Sequence, residues 1–170
     1  MKIGESFLPE FDMEMAGTRK VIERVPDDKL DWKCHPKSNT MGWAANHLAE
    51  LPGWVEGTFA SDVWDMNPPG GEPYQPPDLK SVKEIVELFD ANVASARKTL
   101  ASAPDEAFFQ NWSLANAGET LMTMPKIAVV RTWVLNHSIH HRGHLCVYLR
   151  LNDIPVPALY GPSGDEQPPM

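Results

Sequence analysis

Four of the six histidines fall within the eight residues from His137 to His144, in a stretch that otherwise reads as one long helix from Met124 to Leu151. On a helix of about 3.6 residues per turn, His137 and His141 share one face, and so do His140 and His144. Two imidazoles one turn apart can grip a single metal ion. The fold expected of such a chain is therefore one that turns this helix towards neighbours able to supply a third ligand.

Apolar periodicity narrows the choice of pair. With His137 at 0° on a helical wheel, Val130 and Tyr148 fall near about 20°, His141 near about 40° and Val134 near about 60°. The apolar stripe is thus centred close to His137 and His141, which makes them the favoured pair. His144, near about −20°, is not excluded, and His140 sits at the edge of the stripe. Cys146 is on the opposite side.

The remaining elements follow from spacing and punctuation. Phe11, Met15, Thr18, Val21, Ile22 and Val25 recur at helical intervals, so a first helix is expected from about Phe7 to about Val25, stopped by Pro26. Ser38, Asn39 and Thr40 offer caps for a second helix, with Pro52 expected to kink or break it just after the turn of His47. Ser81 and Glu84 form a capping box for a third helix, which runs to about Ala101. Between these two, 67–78 is rich in proline and glycine and reads as a loop, either a solvated connector or a lid over a site. A short β-hairpin around Asn116-Ala117-Gly118, or a bare loop, precedes the last helix, whose first turn suits Pro125. Four helices with one long connection predict an all-α four-helix bundle with a crossover, in a single domain spanning 1–170.

His47 is the natural third ligand. Apolar residues flank it one turn to either side, so it faces inwards on the second helix. Three neutral imidazoles leave one position open on a tetrahedral ion, the arrangement of catalytic zinc sites. All-nitrogen ligation suits Zn²⁺ and Ni²⁺, and Mn²⁺ or Fe²⁺ less tightly. The net charge of −8 argues against a nucleic-acid partner. No apolar run reaches the roughly 20 residues that a membrane helix needs. Cys34 and Cys146 are in no redox or metal spacing, and a reducing cytoplasm is the simplest compartment. His35, beside Pro36, reads as a surface residue.

Two segments carry a resemblance. Asn136-His137-x-x-His140-His141-Arg142-Gly143-x-Leu145-x-Val147-Tyr148-Leu149-Arg150, followed by Pro155-Val156-Pro157 and Tyr160-Gly161-Pro162-Ser163, resembles the DinB/YfiT-like superfamily. So does Met41-Gly42-Trp43-x-x-Asn46-His47-Leu48-Ala49-Glu50-Leu51-Pro52-Gly53-Trp54. The resemblance implies a bundle with up-down-down-up order, a homodimer as the assembly, and a divalent metal held by His47, His137 and His141. The family commonly has glutamine at the position of His144, which leaves that imidazole as a candidate fourth ligand, a support for a ligand or a proton carrier.

Three functional readings follow. In the first, the protein is a metal-dependent enzyme acting on a small molecule, by hydrolysis or by transfer of a thiol, as some relatives of this family do; Tyr148, Arg142 and His144 are then candidates for substrate contact. In the second, the metal is structural or sensory and the protein is a metal-binding stress-response module. The third is a metal-free dimerisation module. An open fourth position on the metal separates the first from the second.

Overall fold

The computed structural model describes residues 2–167, and it is mostly helical. Helix α1 (Ile3–Ile22) begins four residues before the expected start, because the Lys2 N–H donates to Glu5 Oε2 and the Ile3 N–H donates to Asp105 Oδ1. Those bonds satisfy donors that a helix N-terminus leaves free. The helix stops at Ile22, and Arg24 and Val25 close turns onto Val21 and Ile22 rather than extending it.

Helix α2 (Met41–Glu50) is capped by the Thr40 hydroxyl, which accepts from the Trp43 N–H at 3.0 Å. Pro52 lacks the N–H that would meet the Leu48 carbonyl. Accordingly α2 gives way to a tight turn at Leu51–Gly53 and resumes as α3 (Trp54–Ala60). Helix α4 (Val82–Ser102) opens on the expected capping box, with Ser81 accepting from the Glu84 N–H and donating to Glu84 Oε2. The last rod has three parts: α5 (Lys126–Val129), a π-helical stretch at Val130–Asn136, and α6 (His137–Leu151). Helices α1 and α2 each pack against both α4 and α6. Phe11, Phe89, Leu48 and Leu145 are among the buried residues of the core between them.

The expectation of an all-α chain needs correcting. A three-stranded sheet stands in the order β1 (Val63–Asp65), β2 (Asn111–Asn116), β3 (Glu119–Pro125). The β2–β3 hairpin is the one anticipated, and it turns through Ala117 and Gly118, both at positive φ. Strand β1 had no local signal: it is three residues long and pairs in parallel with a segment about 50 residues away (Trp64 with Leu114). Asp65 ties the two together, accepting from the Ala117 N–H at 3.1 Å and the Gly118 N–H at 2.7 Å. The proline-rich connection of 67–80 does not swing free. Asn46, buried on α2, donates to the Leu79 carbonyl and accepts from the Leu79 N–H.

Candidate metal centre

His47 on α2 and His137 and His141 on α6 meet where the two helices cross. Nε2 of His141 lies 2.8 Å from Nε2 of His137, and Nε2 of His47 lies 3.4 Å from the same atom. All three ligand atoms are within 4.8 Å of one another, and each ring is half-buried. Nitrogens at about 2.0–2.1 Å from a tetrahedral ion stand roughly 3.3 Å apart. The His47–His137 separation already fits that figure, and the His137–His141 pair needs to open by about half an ångström.

Two of the three donors are held in the ligating form. Burial first, and then the neighbouring imidazoles of His47 and His137, push His141 down to about 3. His137 is lowered by the same two causes, burial first; the Trp133 carbonyl pulls the other way, although its geometry falls short of a hydrogen bond to the buried Nδ1. Both rings are therefore neutral near pH 7, the form that ligates a metal.

His47 is aimed from behind. Its Nδ1 is 2.5 Å from Glu50 Oε1, which fixes the tautomer with Nε2 free to face the other two rings. The second carboxylate oxygen of Glu50 accepts from the Tyr74 hydroxyl. Burial, and then this bond to Glu50, raise the Tyr74 phenol above its ordinary range, so it stays a donor. A carboxylate that orients a ligating imidazole is the usual support for such a ligand. The breakdown of α2 at Pro52 follows directly after Glu50, so the triad of His47, Glu50 and Tyr74 sits at the point where the helix ends.

Sequence reasoning left the acceptors of the ligand rings unassigned, and Glu50 and Tyr74 are what it missed. The i to i+3 spacing of His47 and Glu50 on one helix was the signal available for Glu50. Nothing local marks Tyr74, which arrives from the long connection. The wheel also misplaced the buried face of α6. Its centre runs through Ser138, Arg142, Leu145 and Leu149, with His137 and His141 on its flank. The π stretch just upstream breaks the 100° register on which the wheel depends, so Val130 does not project onto α6 as a regular helix would require.

Other candidates lie elsewhere. His144 groups with the exposed His140, ring centroids 4.2 Å apart, and both adjoin His141: these three form a second, more exposed trio whose ligand atoms also lie within 4.8 Å of one another. Arg142 is buried against α1: Nη2 donates to Glu14 Oε2 at 2.7 Å and Nη1 to the Glu14 carbonyl at 3.0 Å. Tyr160 donates to the same carboxylate at 2.8 Å, pinning the C-terminal tail. Tyr148 packs edge-on against Trp32. Neither Arg142 nor Tyr148 lines the cavity beside His47, so the expectation that they contact substrate is not met by their positions. His35 and Cys34 are exposed, as a surface connector requires.

That cavity, of about 540 Å³, opens from His47 and Glu50 and runs between α3, β1 and the 67–80 connection.

The sequence profile of the DinB superfamily matches residues 10–145. The chain belongs to the DinB superfamily. The Bacillus subtilis protein YrdA is 23% identical over 166 residues, a span of 95% of this chain and 90% of YrdA. Among solved structures, a DinB-like protein from Bacillus cereus superposes with a TM-score of 0.71 at 22% identity, covering 92% of this chain and 97% of that one. The DinB-like protein YjoA from Bacillus subtilis gives 0.64 at 15% identity, covering 88% and 96%. Likenesses at these identities establish a shared DinB fold. Among the described residues, no helix is long and apolar enough to cross a membrane.

Proposed function

We propose that this DinB protein is a metal-dependent enzyme acting on a small molecule, with one divalent ion, Zn²⁺ or Ni²⁺, held by His47, His137 and His141. The up-down-down-up order and the homodimer implied by its sequence belong to the same reading. The observation that carries it is the convergence of three Nε2 atoms from two helices beside an open cavity. Bound there, the ion supplies Lewis acidity, which lowers the pKa of water or of a thiol and serves either hydrolysis or thiol transfer.

The chain's own residues supply the rest. Glu50 holds His47 in its ligating tautomer, and Tyr74 holds Glu50. The indoles of Trp43 and Trp54 pack on His47 with ring centroids 4.7 and 5.7 Å away, which limits water on that side. Glu50, the acid beside the cluster, has partners at both carboxylate oxygens and so does not close a fourth position. This favours catalysis over a purely structural or sensory metal.

Calorimetric titration of chelator-treated protein with Zn²⁺ and with Ni²⁺ tests the reading. One equivalent is expected to bind; heats no different from buffer for both ions sink it. Within that experiment, Glu50→Gln is expected to bind metal about 10–100-fold more weakly, the usual cost of losing an acceptor behind a ligating imidazole. An unchanged affinity would show that Glu50 plays no part in holding the ligand.

A further inference from the structure

The cavity beside the histidines has a composition of its own. Five of the six tryptophans line it, Trp43, Trp54, Trp64, Trp112 and Trp133, together with Tyr74. Trp54 and Trp64 are 5.8 Å apart, and Trp64 meets Tyr74 edge-on at 5.0 Å, so three of these rings form one continuous aromatic wall. Among the described residues that line the cavity there is no lysine or arginine, and the one carboxylate, Glu50, is already bonded at both oxygens. A volume of about 540 Å³ suits a small organic molecule rather than a single ion or a polymer.

We infer that the cavity selects an uncharged, flat, aromatic body and delivers its one polar group to the end formed by His47 and Glu50. The role of that polar group and the exclusion of a cation rest on the metal-dependent reading above; the choice of an aromatic body does not. Tryptophan faces stack on flat rings and exclude water from them. A carboxylate or phosphate lodged against this wall would have no countercharge, and neutral indole N–H groups such as the unpartnered one of Trp112 are weak replacement for its water. Small thiols that carry several carboxylates are disfavoured as occupants of the main body of the cavity for the same reason. A quaternary ammonium ion is attracted to ring faces, but beside a loaded divalent ion it would meet like charge.

Gly57 provides the control. It lies at the exposed rim on α3, it lines the cavity, and a Cβ built there meets nothing within 4 Å. Leucine at this position fills the entrance, and it favours the helix where glycine does not. The experiment is calorimetric titration of the protein, metal-loaded and after chelation, with 2-naphthol, 2-naphthoate and trimethylphenylammonium. The expected result is one equivalent of 2-naphthol in both preparations, bound at least tenfold more tightly than 2-naphthoate by the chelated protein and at least tenfold more tightly than trimethylphenylammonium by the metal-loaded protein. Gly57→Leu is expected to lose that binding while its melting temperature holds or rises. Equal or tighter binding of 2-naphthoate by the chelated protein, or of trimethylphenylammonium by the metal-loaded protein, overturns the inference. So does the absence of 2-naphthol binding, or 2-naphthol binding undiminished in a folded Gly57→Leu. The ranking of probes on the wild-type protein decides the matter even if the variant does not fold. Aromatic binding without any zinc or nickel binding would leave this inference standing and remove the metal reading, and the converse result would do the reverse.

Discussion

His137→Ala protein is expected to come through purification with less than about a tenth of the metal held by wild type, because an affinity loss of more than about 100-fold exceeds that of removing a mere supporting group. His137 is the residue to remove because its Nε2 is the atom that both other imidazoles approach, at 2.8 Å and 3.4 Å. Without it, His47 and His141 remain on separate helices with no third nitrogen between them. His35→Ala, at an exposed connector position, is the matched control and should retain wild-type metal. The same loss should appear in stability. An ion present at about 1,000 times its dissociation constant adds about 4.1 kcal/mol to the folded state. Chelator should therefore lower the melting temperature of wild type, and leave that of His137→Ala where it was. Elemental analysis and a thermal scan with and without chelator read both effects. Equal, negligible metal in wild type and variant is the outcome that defeats the three-histidine site.

The second large effect concerns Arg142, and it is one of folding. Its guanidinium is 3% exposed and its partner carboxylate, Glu14, 5% exposed, so both charges have been taken out of water. The pair is closed by the Glu14 carbonyl and by the Tyr160 hydroxyl. Room for it comes from Gly17 on α1, where a Cβ would stand 2.9 Å from Arg142 Nη1. Arg142→Ala leaves the Glu14 carboxylate buried with most of its compensation gone, and is expected to cost about 3–5 kcal/mol. For a chain of this length that corresponds to a fall in melting temperature of roughly 6–20 °C. Removing both charges at once, Glu14→Leu with Arg142→Met, should recover most of the loss, since apolar groups of similar volume often replace a buried pair at little cost. A single variant that melts within 2 °C or so of wild type would show that the pair is solvated rather than buried. Metal binding should survive in the double variant, because neither side chain reaches the histidine cluster.

How far the sequence could be read depended on how local each signal was. The capping box at Ser81 and Glu84, the break at Pro52 and the turn at Ala117-Gly118 all act within a few residues, and each appears where expected. The three histidines were legible because their spacing on α6 and the setting of His47 on α2 are helix-scale properties. What stayed hidden is non-local or departs from regular geometry. Strand β1 exists only because β2 lies beside it. Tyr74 reaches Glu50 across 24 positions of chain. The π stretch at Val130–Asn136 shifts the helical phase, so a wheel drawn with one period made His137 and His141 the centre of the buried face when they are its margin. Arg142 looked like a polar residue available to a ligand, since the carboxylate that claims it is 128 positions away.

The hydroxyl of Tyr74 has a thermodynamic consequence. It joins the long connection to Glu50, and Glu50 joins it to His47, so the proline-rich segment and the histidine cluster share one chain of hydrogen bonds. Any free energy by which an occupant of the cluster stiffens that chain is returned in equal measure as anchoring of the segment, because coupling between two equilibria is reciprocal. A second constraint on the segment, such as the clasp of Leu79 by Asn46, the neighbour of His47 on α2, thereby acts on affinity at the cluster as well.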